Sequence, residues 1–263
     1  MLQSIYRLLI ELTNGKWTSA ILHKFAKSKS SKRIISSFAK TYNINQEEME
    51  KPIGEYESLH QFFIRNLKEG SRKIDQDSLS VVSPVDSVIE EVGQIDADHT
   101  ITVKGKVYSI SEMLGNDEAM ARYEQGTYMI FYLSPSHYHQ IHSPVTGEVV
   151  NQWTLGKKSH PVNKMGLKYG NYPLSKNYRK ITEIKHEAGM AAVIKVGAMF
   201  VNSIETTHDG QKLEKGQQMA YFTFGSTVVL LFEKNSIDLL PEITPPYHIK
   251  YGEKIGTLKK GQD

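Results

Sequence analysis

The stretch SPVDSVIEEVG at residues 83–93 returns as SPVTGEVVNQW at residues 143–153. A second pair, LEKGQQMAYF (213–222) and IKYGEKIGTL (249–258), matches Gly216 with Gly252, Met219 with Ile255 and Phe222 with Leu258 at one constant offset. Each segment is a turn signal followed by β-prone residues, which points to a duplicated unit. From about residue 79 the chain is a succession of short β-prone runs broken by Gly, Pro, Asn and Asp, with one helix expected over Ser109 to Tyr123. The expected fold is therefore α+β, with a β-rich, duplicated, sandwich-like body that carries internal pseudo-symmetry.

Ahead of that body the texture is helical. Leu2, Ile5, Tyr6, Leu9 and Leu12, then Trp17, Ile21, Leu22 and Phe25, recur at spacings of three and four, as amphipathic helices require. Residues 16–40 hold seven lysines and arginines and no acid. Such an arm suits an anionic lipid surface, where each basic residue contributes about 1 kcal/mol near the headgroups; a helical hairpin packed on the body is the competing reading. A further helix is expected over residues 57–68, capped by Ser58. This divides the chain into an N-terminal helical region, 1–75, and a β-rich body, 76–263.

The 263 residues are 39% hydrophobic and 23% charged, which excludes a disordered or collagen-like chain. There is no cysteine, so thiolate nucleophiles, disulfides and thiolate zinc sites are excluded. No apolar run approaches the roughly 20 residues needed to span a bilayer, and the N-terminus lacks a small-residue cleavage site.

Three places hold residues suited to chemistry. Asp86 sits in a Pro-fixed turn, where an Asp most often bonds its own backbone; the second copy has Thr146 there, so the duplication itself does not demand a carboxylate. SPSHYHQIHSPVTG places His137, His139 and His142 within six residues. On a strand His137 and His139 would share one face, with His142 just past its end; acid–base work, a metal and plain packing all remain open. The third place is TFGSTVVLLFEKN (223–235), an apolar strand with Gly225 and Ser226 at its head. No GxSxG elbow surrounds Ser226, so its hydroxyl can be aimed at its own backbone instead of a substrate. Attack on the Gly225 carbonyl and β-elimination would cut the chain and leave a pyruvoyl group, a carbonyl electron sink.

Read together, FFIRNLKEGSRKID (62–75), SPVDSVI (83–89), VKGKVYSISEMLG (103–115), YLSPSHYHQIHSPVTGEV (132–149), PVN (161–163), VGAMFVNSI (196–204) and KGQQMAYFTFGSTVVLLFE (215–233) resemble the phosphatidylserine decarboxylase family. The resemblance implies self-cleavage between Gly225 and Ser226 into a β chain of residues 1–225 and an α chain of residues 226–263. It makes Ser226 the nucleophile and then the pyruvoyl cofactor, which takes the headgroup amine as a Schiff base. Asp86 and His142 match the residues that activate that serine, and His139 the one that moves a proton during decarboxylation, whereas His137 has no matching role. No metal is implied. The partners implied are phosphatidylserine, an anionic membrane surface and the chain's own two fragments, as a heterodimer or a dimer of these, peripheral to the cell membrane on its cytoplasmic face; no nucleic acid is expected. Phe224 replaces the family's leucine, Ser87 its glycine after the aspartate, and Tyr178 the middle of its Asn-Glu-Arg. Two rivals from the residues alone are a Ser-His-Asp hydrolase with an uncut chain and a non-enzymatic β-sandwich module.

Overall fold

The computed structural model describes residues 16–158, 160–198, 204–223 and 226–259. The expected helix at 2–12, together with Phe224 and Gly225, lies outside them. The first half of the body holds β1 (Ser80–Val82), β2 (Ser87–Gln94), β3 (Thr100–Val103), β4 (Lys106–Ser109), β5 (Thr127–Leu133), β6 (Gln140–His142) and β7 (Gly147–Leu155). The second holds β8 (Arg179–His186), β9 (Gly189–Gly197), β10 (Ile204–Thr206), β11 (Lys212–Leu213), β12 (Gln218–Phe222), β13 (Ser226–Phe232), β14 (Ile237–Leu239), β15 (Tyr247–Ile249) and β16 (Lys254–Leu258).

Eight strands form one antiparallel sheet in the order β11-β7-β8-β9-β13-β5-β2-β15, and two three-stranded sheets, β1-β16-β14 and β6-β12-β10, accompany it. The duplication is written into the hydrogen bonds. Ser83 Oγ donates to the Val85 carbonyl at 2.7 Å and Ser143 Oγ to the Val145 carbonyl at 2.7 Å. Gly252 N–H donates to Ser83 and Gly216 N–H to Ser143, at 3.0 and 2.8 Å. Each glycine sits at positive φ, +87° and +79°, with Ile74 packed where a Cβ would go, so both turns require a residue without one. The two copies also clasp each other: Val82 N–H donates to the Pro144 carbonyl at 2.9 Å and His142 N–H to the Pro84 carbonyl at 2.8 Å.

Strict alternation on β13 builds two layers from one strand. Val228, Leu230 and Phe232 join the core under the small sheets with Ile141, Met219 and Ile255. Val229 and Leu231 join the opposite core, roofed by Tyr108, Met113 and Leu174. Ser226 has the parity of Val228, so its side chain belongs to the face covered by β6 and β12.

Two expected helices are shorter than their patterns suggest. The helix capped by Ser58, which accepts from Gln61 N–H at 3.2 Å, runs only over Leu59–Phe63. Beyond it the backbone pairs with residues 48–50, as in Glu50 N–H to the Asn66 carbonyl at 3.1 Å, and tertiary pairing overrides helical propensity. The helix expected at Ser109 to Tyr123 is two, Ile110–Leu114 and Asp117–Arg122. Gly115 closes the first in the left-handed region and Asn116 caps the second.

Candidate active site

Ser226 opens the central strand, paired with Leu133 at the end of β5 and with Gly197 at the end of β9. It is fully buried, and its Oγ has no hydrogen-bond partner among the described residues. A buried hydroxyl left unpaired costs about 1–3 kcal/mol. Sequence patterning therefore located the strand, and the structure adds that its first side chain is buried and unengaged among the described residues. On one flank Asn177, itself fully buried, donates through Nδ2 to the carbonyls of Gly197 at 2.9 Å and His160 at 2.8 Å. That bond fastens the backbone directly opposite Ser226.

His142 is not past a strand end, as its spacing suggested, but the last residue of β6. His137 and His139 do not share a strand face, because residues 134–139 form a turn closed by His137 N–H to the Ser134 carbonyl at 3.0 Å. Pro135 and two serines break the alternation read from the histidines alone. His142 Nδ1 lies 2.8 Å from the Gly216 carbonyl. A carbonyl only accepts, so Nδ1 carries the proton and Nε2 presents a lone pair. That Nε2 is buried and unpartnered among the described residues.

The expected carboxylate, Asp86, is near this histidine without bonding it. Asp86 Oδ1 accepts from Arg72 Nε at 3.0 Å and from Tyr251 N–H at 2.9 Å, and its Oδ2 pairs closely with Arg72 Nη2. The Tyr251 bond is the counterpart of Lys215 N–H to Thr146 Oγ1, at 3.1 Å, in the other copy. Asp86 thus does the structural job of Thr146 and adds a negative charge held against the Arg72 guanidinium, which also pairs with Glu48 at 2.9 Å. Neither Arg72 nor Tyr251 was singled out from the sequence. Arg72 lies within the FFIRNLKEGSRKID segment, but nothing local marks which acid it will reach.

His139 is fully buried; its Nδ1 donates to the His137 carbonyl at 2.8 Å, and its ring packs on Phe63 at 3.9 Å between centroids. Its own carbonyl accepts from Phe222 N–H at 3.0 Å, which ties the histidine turn to β12, the strand that leads to Ser226. Arg65 Nη2 supports the turn from beneath by donating to the Ser136 and His137 carbonyls at 3.0 and 3.2 Å.

Burial pushes His142 and His137 from 6.5 down to about 4, against the pull of the Asp86 charge, and drives His139 well below its ordinary value. For a histidine held neutral in the folded state, the unfolded chain binds more protons between pH 6.5 and 4. Stability is then complete above pH 6.5 and falls as pH drops toward 4, by up to about 1.4 kcal/mol per pH unit for each such residue. Thermal melts of an uncut Ser226→Ala chain are expected to shift down steeply between pH 6.5 and 4.5. A flat profile across that window would contradict neutral burial.

Burial of a serine, two imidazoles and a paired carboxylate around one end of the sheet is costly, and such a cluster marks a candidate active site. A family model described as phosphatidylserine decarboxylase matches residues 59–257. The chain is 59% identical over 259 residues to the "Phosphatidylserine decarboxylase proenzyme" of Geobacillus sp. (strain WCH70), covering 98% of this chain and 100% of the relative. It is 58% identical over 265 residues to the proenzyme of the same name from Anoxybacillus flavithermus, covering 100% of each, and 56% identical over 257 residues to that of Bacillus thuringiensis (strain Al Hakam), covering 98% of each. The chain belongs to the phosphatidylserine decarboxylase family. The hydrolase and binding-module alternatives find no support among these relatives.

Proposed function

We propose that this chain decarboxylates phosphatidylserine to phosphatidylethanolamine and CO2, using a pyruvoyl group that it makes by cutting itself between Gly225 and Ser226. The observation that carries the reading is the buried Ser226 Oγ at the head of the central strand, unpartnered among the described residues, with His142 on β6 and His139 in the turn before it, whose Nε2 atoms are likewise bare among them. His142 Nε2 takes the Ser226 hydroxyl proton while Oγ attacks the Gly225 carbonyl carbon; the amide C–N bond breaks and an ester forms. Removal of the Ser226 α-proton expels the Gly225 carboxylate by β-elimination. The dehydroalanine left on the new N-terminus takes up water and loses ammonia. Residues 1–225 and 226–263 stay together as β and α chains, because β13 is hydrogen-bonded on both sides to strands of the longer one.

The pyruvoyl group supplies an electron sink for an amine substrate that loses CO2. The chain's own residues supply the rest. His139 Nε2, a lone pair in a dry wall beside Phe63, accepts a proton and returns it to the carbon that lost CO2. The backbone clamp from Asn177 holds Gly197 in place opposite Ser226.

Contact with the membrane falls to the N-terminal arm. The helix Lys16–Lys27 packs inward through Leu22 and Ala26 and leaves Ile21 and Phe25 exposed, 65% and 40%, beside Lys24 and Lys27. Among the described residues no helix is long and apolar enough to cross a membrane. One face of this helix packs inward, and its exposed apolar and basic groups suit an anionic cytoplasmic leaflet. The test is turnover: purified protein with phosphatidylserine vesicles is expected to release CO2 and phosphatidylethanolamine and to be silenced by phenylhydrazine, a carbonyl reagent. Turnover indifferent to that reagent would sink the pyruvoyl chemistry, and absence of product would sink the substrate.

A further inference from the structure

His142 Nδ1 donates to the Gly216 carbonyl and not to the carboxylate that would normally orient a catalytic imidazole, yet its ring is tightly held. Tyr251 lies flat on it, with centroids 3.8 Å apart and planes 3° from parallel, and Tyr138 stacks alongside at 5.8 Å and 29°. Tyr251 is in turn fixed through its backbone, whose N–H donates to Asp86 Oδ1 at 2.9 Å, and Asp86 is gripped by Arg72. We propose that Tyr251 is a positioning residue for self-cleavage: it transmits the Arg72–Asp86 anchor to His142 and fixes the plane of the imidazole that, on the self-cleavage reading, takes the Ser226 proton.

The duplication provides an internal control. The Tyr251–His142 stack joins the two copies, and the pseudo-symmetry replaces Tyr251 by Lys215 and His142 by Val82 in the counterpart pair. The turn around Lys215 forms the equivalent bonds, Gly216 N–H to the Ser143 carbonyl and Lys215 N–H to Thr146 Oγ1, without any aromatic ring. Lys215 Nζ instead donates to Ser80 Oγ at 2.6 Å. The ring is thus not needed to build the turn, and it is present on the turn that faces an imidazole across the boundary between the copies. With Nδ1 fixed on the Gly216 carbonyl, rotation of the ring about that bond is the remaining freedom, and a parallel stack removes it.

The inference rests on the self-cleavage reading, and its test separates the two. Full-length precursor is made by cell-free synthesis and its conversion timed from pH 5 to 9 for wild type, His142→Ala, Tyr251→Phe and Tyr251→Leu. Tyr251→Leu is expected to slow cleavage on the order of 10- to 10²-fold at pH 7, the scale of a misplaced catalytic group. Tyr251→Phe keeps the stack and is expected to restore most of the rate. Opening one face of His142 also relieves its burial, so the acid limb of the Tyr251→Leu profile should climb from about 4 toward 6.5; Asp86, Arg72 and Tyr138, the other titratable groups around the ring, are unaltered. In Ser226→Ala precursor, the His142 ring-proton resonances should lose their ring-current shift with Tyr251→Leu and keep it with Tyr251→Phe. If Tyr251→Leu fails to fold, Tyr251→Met, flexible and of similar bulk, is read the same way. Wild type that is never cut, or His142→Ala cut at the wild-type rate, overturns the self-cleavage reading. Cleavage that needs His142 but runs at wild-type rate and pH profile without the Tyr251 ring overturns this inference alone.

Discussion

Ser226→Ala is expected to leave a single uncut chain of 263 residues with no decarboxylase activity at all. The methyl group fits where the hydroxyl was, because Oγ makes no hydrogen bond among the described residues, so stability should hold or rise slightly. Activity and stability therefore separate in this variant, and electrophoresis with a thermal melt reads both. His142→Ala should act earlier in the same sequence, slowing cleavage by about 10²- to 10⁴-fold, the usual contribution of a positioned base. A Ser226→Ala protein that still turned over substrate would show that the serine is structural.

The second large effect concerns Asp86 and Arg72, and it splits by substitution. Arg72 is 4% exposed at its side chain and Asp86 9%, so Arg72→Leu leaves a buried carboxylate unpaired and should cost about 3–5 kcal/mol. Asp86→Thr copies what the other half of the molecule already does at Thr146 and keeps an acceptor for Tyr251 N–H. It should fold, while Arg72 retains Glu48. It removes the negative charge near His142, whose imidazolium must form as it takes the serine proton. A charge a few ångströms away contributes about 1–4 kcal/mol, so cleavage should slow roughly 10- to 10³-fold. Equal melting behaviour of the two variants, or wild-type cleavage by Asp86→Thr, would contradict the division between structural and electrostatic roles.

Much of this was legible in the sequence because it is local. SPVDSVIEEVG with SPVTGEVVNQW, and Gly216 with Gly252 at one constant offset, predict the duplication before any strand pairing is known. The strand Ser226–Phe232 is apolar on both faces, and the structure explains why: it lies at the centre of the large sheet between two cores. What the sequence could not disclose is contact across distance. Asp86 reaches Arg72 and Tyr251, 14 and 165 positions away, and no pattern in SPVDS announces either. Lys195 reads as an interruption in an apolar strand, yet it is 1% exposed, bonded to Thr182 Oγ1 at 2.5 Å and pushed down by burial to about 7. The histidine cluster misled in a different way, since three residues with strand spacing proved to be a turn and a strand end, and only the fold decides which neighbours a side chain meets.

The central claim is that the chain breaks between Gly225 and Ser226 and converts Ser226 into its own cofactor. Intact-mass spectrometry of the purified protein tests it most directly. Two fragments that meet at 225/226, the shorter one beginning with pyruvoyl in place of serine, are the predicted result; active protein that remains a single unmodified chain after long incubation would contradict it.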